Sequence, residues 1–428
     1  MISLDITPVS AFFLVFALTY FFALVYVALL ERRTQRDEGE ATEHVFSLIV
    51  PAHNEESVVD GCLKSLLELA YPRDKFEVLV VNDGSTDSTA AIALTYAQTY
   101  ADRFMMLQVP KKDGVRGKSS ALNHGFRFLR DQSRFRDDPK WVIGVFDADG
   151  HPEHDMLKKA SFQFLTPNVA GVQASVRISN RDVSWLTRMQ DIEFAGFSRV
   201  TQIIRTRITS SASLGGNGQF VRASALQAVV IDREAGTYWN PKSLTEDLDL
   251  SVRLVLRNWD LHHLNTSWVW QEGVETTRTL IRQRTRWAWG SLQVFVDYVL
   301  RIRVLTKPDV RFLKRLDLLF NLSIFLVSPF VFLSWILTAF AFVGLLSIVS
   351  LFSGAMMFVV SFAYLPIVGY GLITVRGYRK AYLPLDLIGF ALYTYHWVPC
   401  LYAGLWHLVA RHGPVWWKTA RNGTRATG

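Results

Sequence analysis

Two acidic sequences and one arginine-rich sequence hold the residues of this 428-residue chain that could do chemistry. One acidic sequence, Thr245-Glu246-Asp247, precedes an amphipathic run typical of a helix, and the N–H groups at a helix start stabilise carboxylates. The arginine-rich sequence, Gln283-Arg284-Thr285-Arg286-Trp287, combines guanidinium groups that can clamp a phosphate with a flat apolar ring. The acidic sequence Thr245-Glu246-Asp247 could therefore accept a proton. The arginine-rich sequence could hold a phosphorylated leaving group beside a sugar.

The second acidic sequence is a candidate metal site. Asp147 and Asp149 stand at alternate positions directly after the apolar run Trp141–Phe146. Two carboxylates so placed at a strand end can reach one divalent cation, for which Mg²⁺ or Mn²⁺ is expected. Such a cation would bridge diphosphate oxygens and offset the charge of a departing group. The alternative is a pair of solvated turn aspartates.

Short apolar runs predict the strands that position these groups. Runs at Val45–Pro51, Phe76–Val81, Phe104–Val109 and Trp141–Phe146 alternate with helical patterns, which predicts a parallel sheet with helices on both faces. A further strand is predicted at Gly171–Ile178 and a long helix at Ser184–Thr206. Ligands bind such sheets beyond the carboxyl ends of the strands.

Several polar residues stand at those strand ends. Asn54 and Glu55 follow the first strand and Asp83 follows the second, although an aspartate there could equally be a turn-forming residue. Lys118 follows the third strand within Gly117-Lys118-Ser119, which fails as a P-loop because the required first glycine would fall at Lys112.

A glycine-rich turn at Leu214–Gln219 contains Gly216 and Asn217. Glycines let the backbone approach a ligand closely. A bulged turn between strands is the alternative.

The N-terminal segment predicts a membrane helix within residues 1–33. Ala11–Leu30 is almost wholly apolar and is long enough to cross a bilayer. Basic residues (Arg32, Arg33 and Arg36) follow it and only Asp5 precedes it, which places the N-terminus outside and the next domain in the cytoplasm. A cleaved signal peptide fits less well, because no basic region precedes the apolar run.

The C-terminal part predicts further membrane contact. Residues 276–306 are expected to form helices at the membrane surface, with Trp289 as an interface anchor, and residues 316–410 are expected to cross the membrane. Asp386 and His396 within these segments could line a polymer path. A basic tail spans 411–428, and the side on which it lies stays open.

The charge distribution supports a membrane partner. The chain has 46 Lys and Arg against 38 Asp and Glu, and the whole excess lies from Lys307 onward. A nucleic-acid-binding protein would carry a basic stripe on its soluble part, so no nucleic-acid partner is expected. Cys62 and Cys400 are the two cysteines, and they are too few and too distant for a disulfide framework or a zinc site.

Taken together, these sequences resemble the motifs of family 2 membrane glycosyltransferases. Asp83, Asp147-Ala148-Asp149, Thr245-Glu246-Asp247 and Gln283–Trp287 match the D, DxD, TED and Q(Q/R)xRW motifs of the processive cellulose, chitin, hyaluronan and poly-N-acetylglucosamine synthases. The resemblance implies an α/β fold, namely a Rossmann-like GT-A domain at 45–275, together with a transmembrane α-helical bundle. It also implies an integral protein of a bacterial cell membrane with a cytoplasmic catalytic domain.

The same resemblance implies a role for each candidate residue. Asp247 would be the catalytic base, Glu246 and Asp149 would also be catalytic residues, and Asp149 with Asp147 would hold Mg²⁺ or Mn²⁺. The UDP-sugar donor would be bound by a larger set, namely Asn54, Glu55, Asp83, Lys118, Asp147, Gln283, Arg284 and Arg286. Trp287, Gly216 and Asn217 would contact the acceptor.

The expected function is inverting transfer of sugar from a UDP-sugar to a growing glycan, which the membrane part would carry outward. The sequence after the last predicted crossing is too short for the cyclic-nucleotide-sensing domain of many bacterial cellulose synthases, so we expect any such regulation to need a partner. A small membrane accessory subunit is a further possible partner. The alternative is a non-processive enzyme that glycosylates a lipid, as ceramide glucosyltransferases do. A transporter with a degenerate enzyme domain is disfavoured by the intact carboxylates at Asp147, Asp149 and Asp247.

Overall fold

The structure is a computed structural model that describes residues 39–110, 117–324 and 364–410, together with residues 2–4 and scattered positions between 332 and 362. The predicted crossing at 11–30, most of the apolar stretch between 325 and 361, and the basic tail at 411–428 lie outside the described residues. Ile2–Leu4 pairs in parallel with Leu346–Ile348 as a separate two-stranded sheet.

One eight-stranded sheet organises the described residues. Its strands are β1 (Val45–Ala52), β2 (Phe76–Asn82), β3 (Phe104–Gln108), β4 (Trp141–Val145), β5 (His151–Pro152), β6 (Val169–Ile178), β7 (Gln219–Arg222) and β8 (Asp260–Gln271). Their order in the sheet is β3-β2-β1-β4-β7-β6-β8-β5.

The sheet has a parallel half and a mixed half. Strands β1 to β4 all pair in parallel, which confirms the prediction from the alternating apolar runs. β7 is antiparallel to both β4 and β6, and the sequence did not predict it. It directly follows the glycine-rich turn, where Gly216 and Gly218 adopt φ of 85° and 69°. Left-handed backbone of this kind favours glycine, and here it reverses the chain into the antiparallel strand.

Helices cover both faces of this sheet, and further helices follow its last strand, β8. They are α1 (Val59–Leu67), α2 (Thr89–Thr99), α3 (Lys118–Gln132), α4 (Met156–Gln163), α5 (Trp185–Ile192), α6 (Arg199–Ile208), α7 (Ala223–Ala228), α8 (Glu246–Val255), α9 (Thr277–Phe295), α10 (Phe312–Ser323), α11 (Leu365–Thr374), α12 (Leu383–Tyr393) and α13 (Trp397–Val409). A π-helical turn, Glu193–Ser198, joins α5 to α6, and another, Val296–Leu300, follows α9.

Strands β1, β2 and β4 are buried on both sides, which explains why they appear in the sequence as continuous apolar runs. In β1, Val45 and Ile49 belong to the core on one face, whereas Phe46, Leu48 and Val50 belong to the core on the other. The two cores hold the sheet rigidly, so the loops at its carboxyl edge start from fixed points.

Helices α11 to α13 pack directly on the helices that follow the sheet. Met189 of α5 and Leu280 of α9 share a hydrophobic cluster with Val368 and Phe390. A Cβ added to Gly404 of α13 would lie 2.9 Å from the backbone nitrogen of Trp289, so the glycine permits α13 to lie against α9. Among the described residues, no helix combines the length and the apolar composition needed to cross a membrane.

Three expectations for this region are corrected by the structure. Trp289 is 1% exposed and stacks on His407 with 4.7 Å between ring centroids, so it is a core residue rather than an interface anchor. Asp386 is buried and accepts two hydrogen bonds of 2.7 Å from Arg188, so it joins α12 to α5 instead of lining an open path. The amphipathic helix predicted to reach Leu305 ends earlier, at Leu300, after its π-helical turn.

Candidate active site

A cleft of about 350 Å³ opens where the parallel strands end and α8 and α9 begin. Most of the residues singled out from the sequence line this one cleft: Glu55, Asp83, Lys118, Asp147, Asp149, Glu246, Asp247, Gln283, Arg286 and Trp287. They come from six separate segments, so the fold, and not local sequence, brings them together. The location agrees with the general position of ligand sites in open α/β sheets.

The loop after β1 shapes the end of the cleft near Asp83. Nδ1 of His53 donates to the carbonyl oxygen of Asp83 at 2.7 Å, and the backbone N–H of Thr86 donates to Oδ1 of Asn54 at 2.7 Å. Asn54 has a φ of 54°, a left-handed conformation that asparagine tolerates. Glu55 and Asp83 line the cleft, whereas Asn54, predicted as a donor ligand, does not and instead links the two loops.

The two aspartates after β4 are held by backbone hydrogen bonds. The N–H of Asp147 donates to Oδ1 of Asn217 at 3.1 Å, and the N–H of Glu272 donates to Oδ2 of Asp149 at 3.2 Å. Lys118 forms an ion pair with the Asp147 carboxylate. Asp149 is buried and Asp147 is half-buried, so both carboxylates are fixed at the wall of the cleft.

The donor set at this position suits a hard divalent cation. Carboxylate oxygens are the ligands that Mg²⁺ and Mn²⁺ prefer. Within the described part of the chain, no three His, Cys, Asp or Glu side chains lie together as a complete metal site. Asp147 and Asp149 would therefore supply part of the coordination, and water with diphosphate oxygens would complete it, as is usual for Mg²⁺ bound with a nucleotide.

The glycine-rich turn lies beneath the charged centre of the cleft. A Cβ added to Gly216 would be 2.9 Å from Nζ of Lys118 and 3.1 Å from Oδ2 of Asp247, so the missing side chain leaves room for these two groups to face each other. Asn217 is buried, and its amide donates to Oε1 of Gln271 at 2.9 Å. Neither Gly216 nor Asn217 lines the cleft, although both were predicted to contact the acceptor. The structure instead places them where they position Asp147, Lys118 and Asp247.

Glu246 and Asp247 occupy the first turn of α8 and face the cleft together. Burial raises the pKa of both carboxyl groups, and the neighbouring Asp247 raises that of Glu246 further. Lys118 and Arg286 act in the opposite direction, since their positive charges favour the ionised forms. The N–H of Leu248 donates to Oδ1 of Asp247 at 2.8 Å, which orients this carboxylate. A carboxylate with a raised pKa is a stronger proton acceptor than an ordinary one.

The two arginines of the arginine-rich sequence have different environments. Arg286 lines the cleft near the acidic pair. Arg284 has 0% of its surface exposed, and its Nη2 donates to Oε2 of Glu193 at 2.6 Å. The predicted donor contact of Arg284 is therefore corrected: its guanidinium is already paired inside the protein. The cause is geometric, because side chains two residues apart on a helix point to different sides.

An aromatic wall closes the side of the cleft next to Trp287. Phe194 of the π-helical turn packs edge-on against Trp287 with ring centroids 6.5 Å apart, and Trp397 at the start of α13 also lines the cleft. Sequence reasoning missed both residues. Phe194 lies inside a long helical pattern and Trp397 inside an apolar segment, so neither carries a local signal for a site.

The cleft thus combines three capabilities. Lys118 and Arg286 offer positive charge to a diphosphate, Asp247 can accept a proton, and the aromatic wall offers a flat apolar surface for a sugar or a lipid. Asp249, two residues beyond Asp247, is instead structural, because it accepts hydrogen bonds from Arg253 at 2.8 Å and Tyr298 at 3.0 Å.

Comparison with known proteins agrees with this arrangement. The beta-monoglucosyldiacylglycerol synthase of Synechocystis sp. is 36% identical over 253 residues, which cover 59% of this chain and 48% of that protein. The poly-beta-1,6-N-acetyl-D-glucosamine synthase of Staphylococcus epidermidis is 27% identical over 266 residues, which cover 61% of this chain and 58% of that protein. The matches to these curated relatives thus span about half of each relative's own length.

A solved structure shares the fold over nearly the whole chain. The mannosyltransferase PcManGT of Pyrobaculum calidifontis, in complex with GDP-Man and Mn²⁺, superposes with a TM-score of 0.56 at 17% sequence identity. The superposition covers 94% of this chain and 99% of that one. The GT-A fold predicted from the motifs is therefore confirmed.

The family model agrees with the position of the cleft. It matches residues 44–290, a range that contains every charged residue that lines the cleft. The chain belongs to the family described as glycosyltransferase like family 2, and residues 44–290 form its glycosyltransferase domain.

Proposed function

We propose that this protein transfers a single sugar from a UDP-sugar to a diacylglycerol-type lipid, with inversion at the anomeric carbon. The observation that carries the proposal is the pattern of similarity. Beta-monoglucosyldiacylglycerol synthases from Synechocystis, Nostoc and Trichormus variabilis are 36%, 36% and 34% identical to this chain. Relatives named as glucomannan 4-beta-mannosyltransferases and as a poly-beta-1,6-N-acetyl-D-glucosamine synthase reach 27% or 28% over a similar share of the chain. This ordering favours the lipid acceptor over the growing glycan.

Asp247 is the base of the proposed reaction. An acceptor hydroxyl attacks the anomeric carbon of the donor sugar from the face opposite the diphosphate, and its proton passes to the Asp247 carboxylate. A bond forms between the acceptor oxygen and the anomeric carbon while the bond from that carbon to the diphosphate oxygen breaks. The electron pair of the broken bond leaves with UDP. Asp247 suits this task because burial raises its pKa.

Positive groups of the chain stabilise the leaving diphosphate in this mechanism. Arg286 and Lys118 both line the cleft, and the charges of both act on the acidic pair. Guanidinium and ammonium groups in a partly buried site bind phosphate oxygens through charge-assisted hydrogen bonds. Gln283 lies one helical turn before Trp287 on the same face of α9 and contributes to the same wall of the cleft.

Asp147 and Asp149 would hold a divalent cation with the donor diphosphate. A bound Mg²⁺ or Mn²⁺ would offset the negative charge that develops on departing UDP. The protein itself holds the backbone of Asp147 through Asn217 and the carboxylate of Asp149 through the N–H of Glu272. At the far end of the donor region, Glu55 and Asp83 would bind the nucleoside.

The surface of the C-terminal helices supports a bilayer as the source of the acceptor. Leu385 of α12 is 70% exposed, and Trp406 and Val409 of α13 are 66% and 69% exposed. Large apolar side chains along one helix face favour contact with lipid. We include in the proposal the predicted crossing within residues 1–33, further crossings within 316–410, a cytoplasmic catalytic domain and an external N-terminus.

A processive polysaccharide synthase is the second candidate. The sequence Gln283–Trp287 and the similarity to the Staphylococcus epidermidis poly-beta-1,6-N-acetyl-D-glucosamine synthase favour it. In that case the acceptor would be the end of a growing glycan, and a small membrane accessory subunit could assist its export.

One experiment separates the two candidates. The purified protein is incubated with a panel of UDP-sugars, with Mg²⁺ or Mn²⁺, and with either diacylglycerol vesicles or a short oligosaccharide. The proposal predicts a lipid that carries one sugar. A water-soluble polymer would instead support the processive synthase.

A further inference from the structure

Glu193 is a buried carboxylate that the proposed reaction does not use. It is the first residue of the π-helical turn between α5 and α6. Such turns are rare and occur frequently at functional sites, because the wider turn redirects the side chains on either side of it. Phe194, the next residue, lines the cleft. Glu193 itself points to the other side of the aromatic wall.

Three groups from two helical segments donate hydrogen bonds to the Glu193 carboxylate. Oε2 accepts from Nη2 of Arg284 at 2.6 Å and from the hydroxyl of Tyr393 at 2.9 Å. Oε1 accepts from Nε1 of Trp397 at 3.1 Å. One carboxylate therefore joins α9 to the segment that runs from α12 into α13.

The Arg284 guanidinium transmits this contact to Trp287. Its Cζ atom lies 3.9 Å from the centroid of a Trp287 ring, which is close enough for a cation–π interaction. Arg284 is completely buried, and the hydrogen bond from its Nη2 to Glu193 holds the guanidinium against the face of Trp287.

Both cleft-lining tryptophans thus depend on the same side chain. Trp397 is bound to Glu193 directly, and Trp287 is bound through Arg284. Both indoles line the cleft that contains Asp247. An aromatic wall selects an acceptor only when its rings are held at fixed angles, because stacking and apolar contact depend on orientation.

We propose that Glu193 is a positioning residue for the acceptor: it sets the two indoles between which the acceptor is held for deprotonation by Asp247. The inference rests on the proposed function insofar as Trp287 and Trp397 face an acceptor rather than the donor. It predicts that loss of the carboxylate weakens acceptor binding and leaves donor chemistry intact.

Asp386 provides a matched control. Like Glu193, it is a buried carboxylate that joins the α5 region to α12, through Arg188 and Tyr378. Unlike Glu193, it contacts neither tryptophan through these bonds. Glu193→Ala, Glu193→Gln and Asp386→Asn are compared for melting temperature, for donor KM, for acceptor KM and for slow hydrolysis of the donor without acceptor.

The expected result separates acceptor from donor. Glu193→Ala should raise the acceptor KM by about ten- to a hundredfold, since a displacement of about 1 Å in binding groups can cost that much. Donor KM and donor hydrolysis should stay within about twofold, because Arg286 and Lys118 are untouched. Glu193→Gln should show a smaller rise in acceptor KM, since its amide oxygen can still accept hydrogen bonds whereas its NH2 group cannot. Asp386→Asn should lower the melting temperature without raising the acceptor KM.

Two results would overturn the inference. One is an acceptor KM that rises equally in Glu193→Gln and Asp386→Asn, which would make Glu193 purely structural. The other is a donor KM that rises together with the acceptor KM.

The assay is run with diacylglycerol in phosphatidylcholine vesicles and with a short oligosaccharide. Whichever of the two is glycosylated decides the proposed function. The ratio of variant to parent KM decides the role of Glu193, so the two failures are distinguishable.

Discussion

The two sides of the cleft are built in different ways. The proposed donor side consists of charged residues at strand ends, in the first turn of α8 and on α9, and the parallel sheet anchors those at the strand ends. The proposed acceptor side consists of aromatic residues on helices, which a buried ion pair holds together. In the proposed reaction the first side would carry the proton and phosphate chemistry, whereas the second would offer shape and apolar area.

Removal of the metal ligands should have the largest effect, because it acts on the donor side at its most charged point. Chelation should abolish transfer, and Asp149→Asn should nearly abolish it while the melting temperature stays close to that of the parent. The measurement is UDP release with and without Mn²⁺. Full activity in excess chelator would show that Asp147 and Asp149 do not hold a metal ion needed for transfer.

Asp247→Asn should have the next largest effect. A general base contributes roughly a hundred- to ten-thousandfold to the rate, so turnover should fall by at least about a hundredfold. UDP affinity in the presence of metal, measured by calorimetry, should change little, because the base acts on the acceptor. A parallel loss of UDP affinity would make Asp247 a donor ligand instead.

The two arginines of α9 allow the two sides of the cleft to be compared within a single helix. Arg286→Ala should weaken UDP binding by about 1.5–3 kcal/mol, the usual value of a hydrogen bond to a charged group. Arg284→Ala should leave Glu193 buried without its cation and destabilise the fold by about 3–5 kcal/mol, with little effect on UDP affinity.

Denaturant unfolding and UDP titration of both variants check this assignment. An Arg284→Ala protein that keeps its stability but loses UDP binding would restore the original prediction that Arg284 contacts the donor.

Substitution of Trp287 should affect acceptor binding without affecting donor binding. Trp287→Ala should raise the acceptor KM about tenfold, since an aromatic contact contributes up to about 1.5 kcal/mol beyond its buried area. Trp287→Phe should retain part of the affinity because it keeps a flat apolar face. Kinetics with varied acceptor at saturating donor measure both. If Trp287→Ala changed the donor KM only, the division of the cleft would be wrong.

The smallest expected effect is on pH dependence. Asp247 must be ionised to accept a proton, and burial raises its pKa above that of an ordinary aspartate, about 3.9. Activity should therefore be complete above the raised pKa and fall as the pH decreases through it, at a higher pH than an unperturbed carboxylate would give. A pH profile of kcat/KM for the acceptor measures this limb. An acid limb near pH 4 would indicate that another group is the base.

The donor side was largely predictable from sequence, and the acceptor side was not. Strand β1 was predicted to within one residue, because a strand buried on both faces leaves a continuous apolar run. The carboxyl ends of such strands then indicate Asp83, Asp147 and Asp149 by position alone. Strand β8 was missed, since its polar residues and two register shifts break any alternation.

The aromatic wall depends on contacts between residues far apart in the sequence. Glu193 and Trp397 are 204 positions apart, and no local pattern indicates that they meet. Similarly, the motif that contains Arg284 and Arg286 does not show which guanidinium is buried. That choice is made by the packing of α9 against the π-helical turn and α13.

The most direct test of the account is the structure of the product. The purified protein, given an α-linked UDP-sugar, Mn²⁺ and diacylglycerol vesicles, should release one UDP for each lipid modified. Nuclear magnetic resonance of the extracted lipid should show one sugar in β linkage, as a single inverting transfer requires. An α-linked sugar, or a chain of sugars detached from lipid, would contradict it.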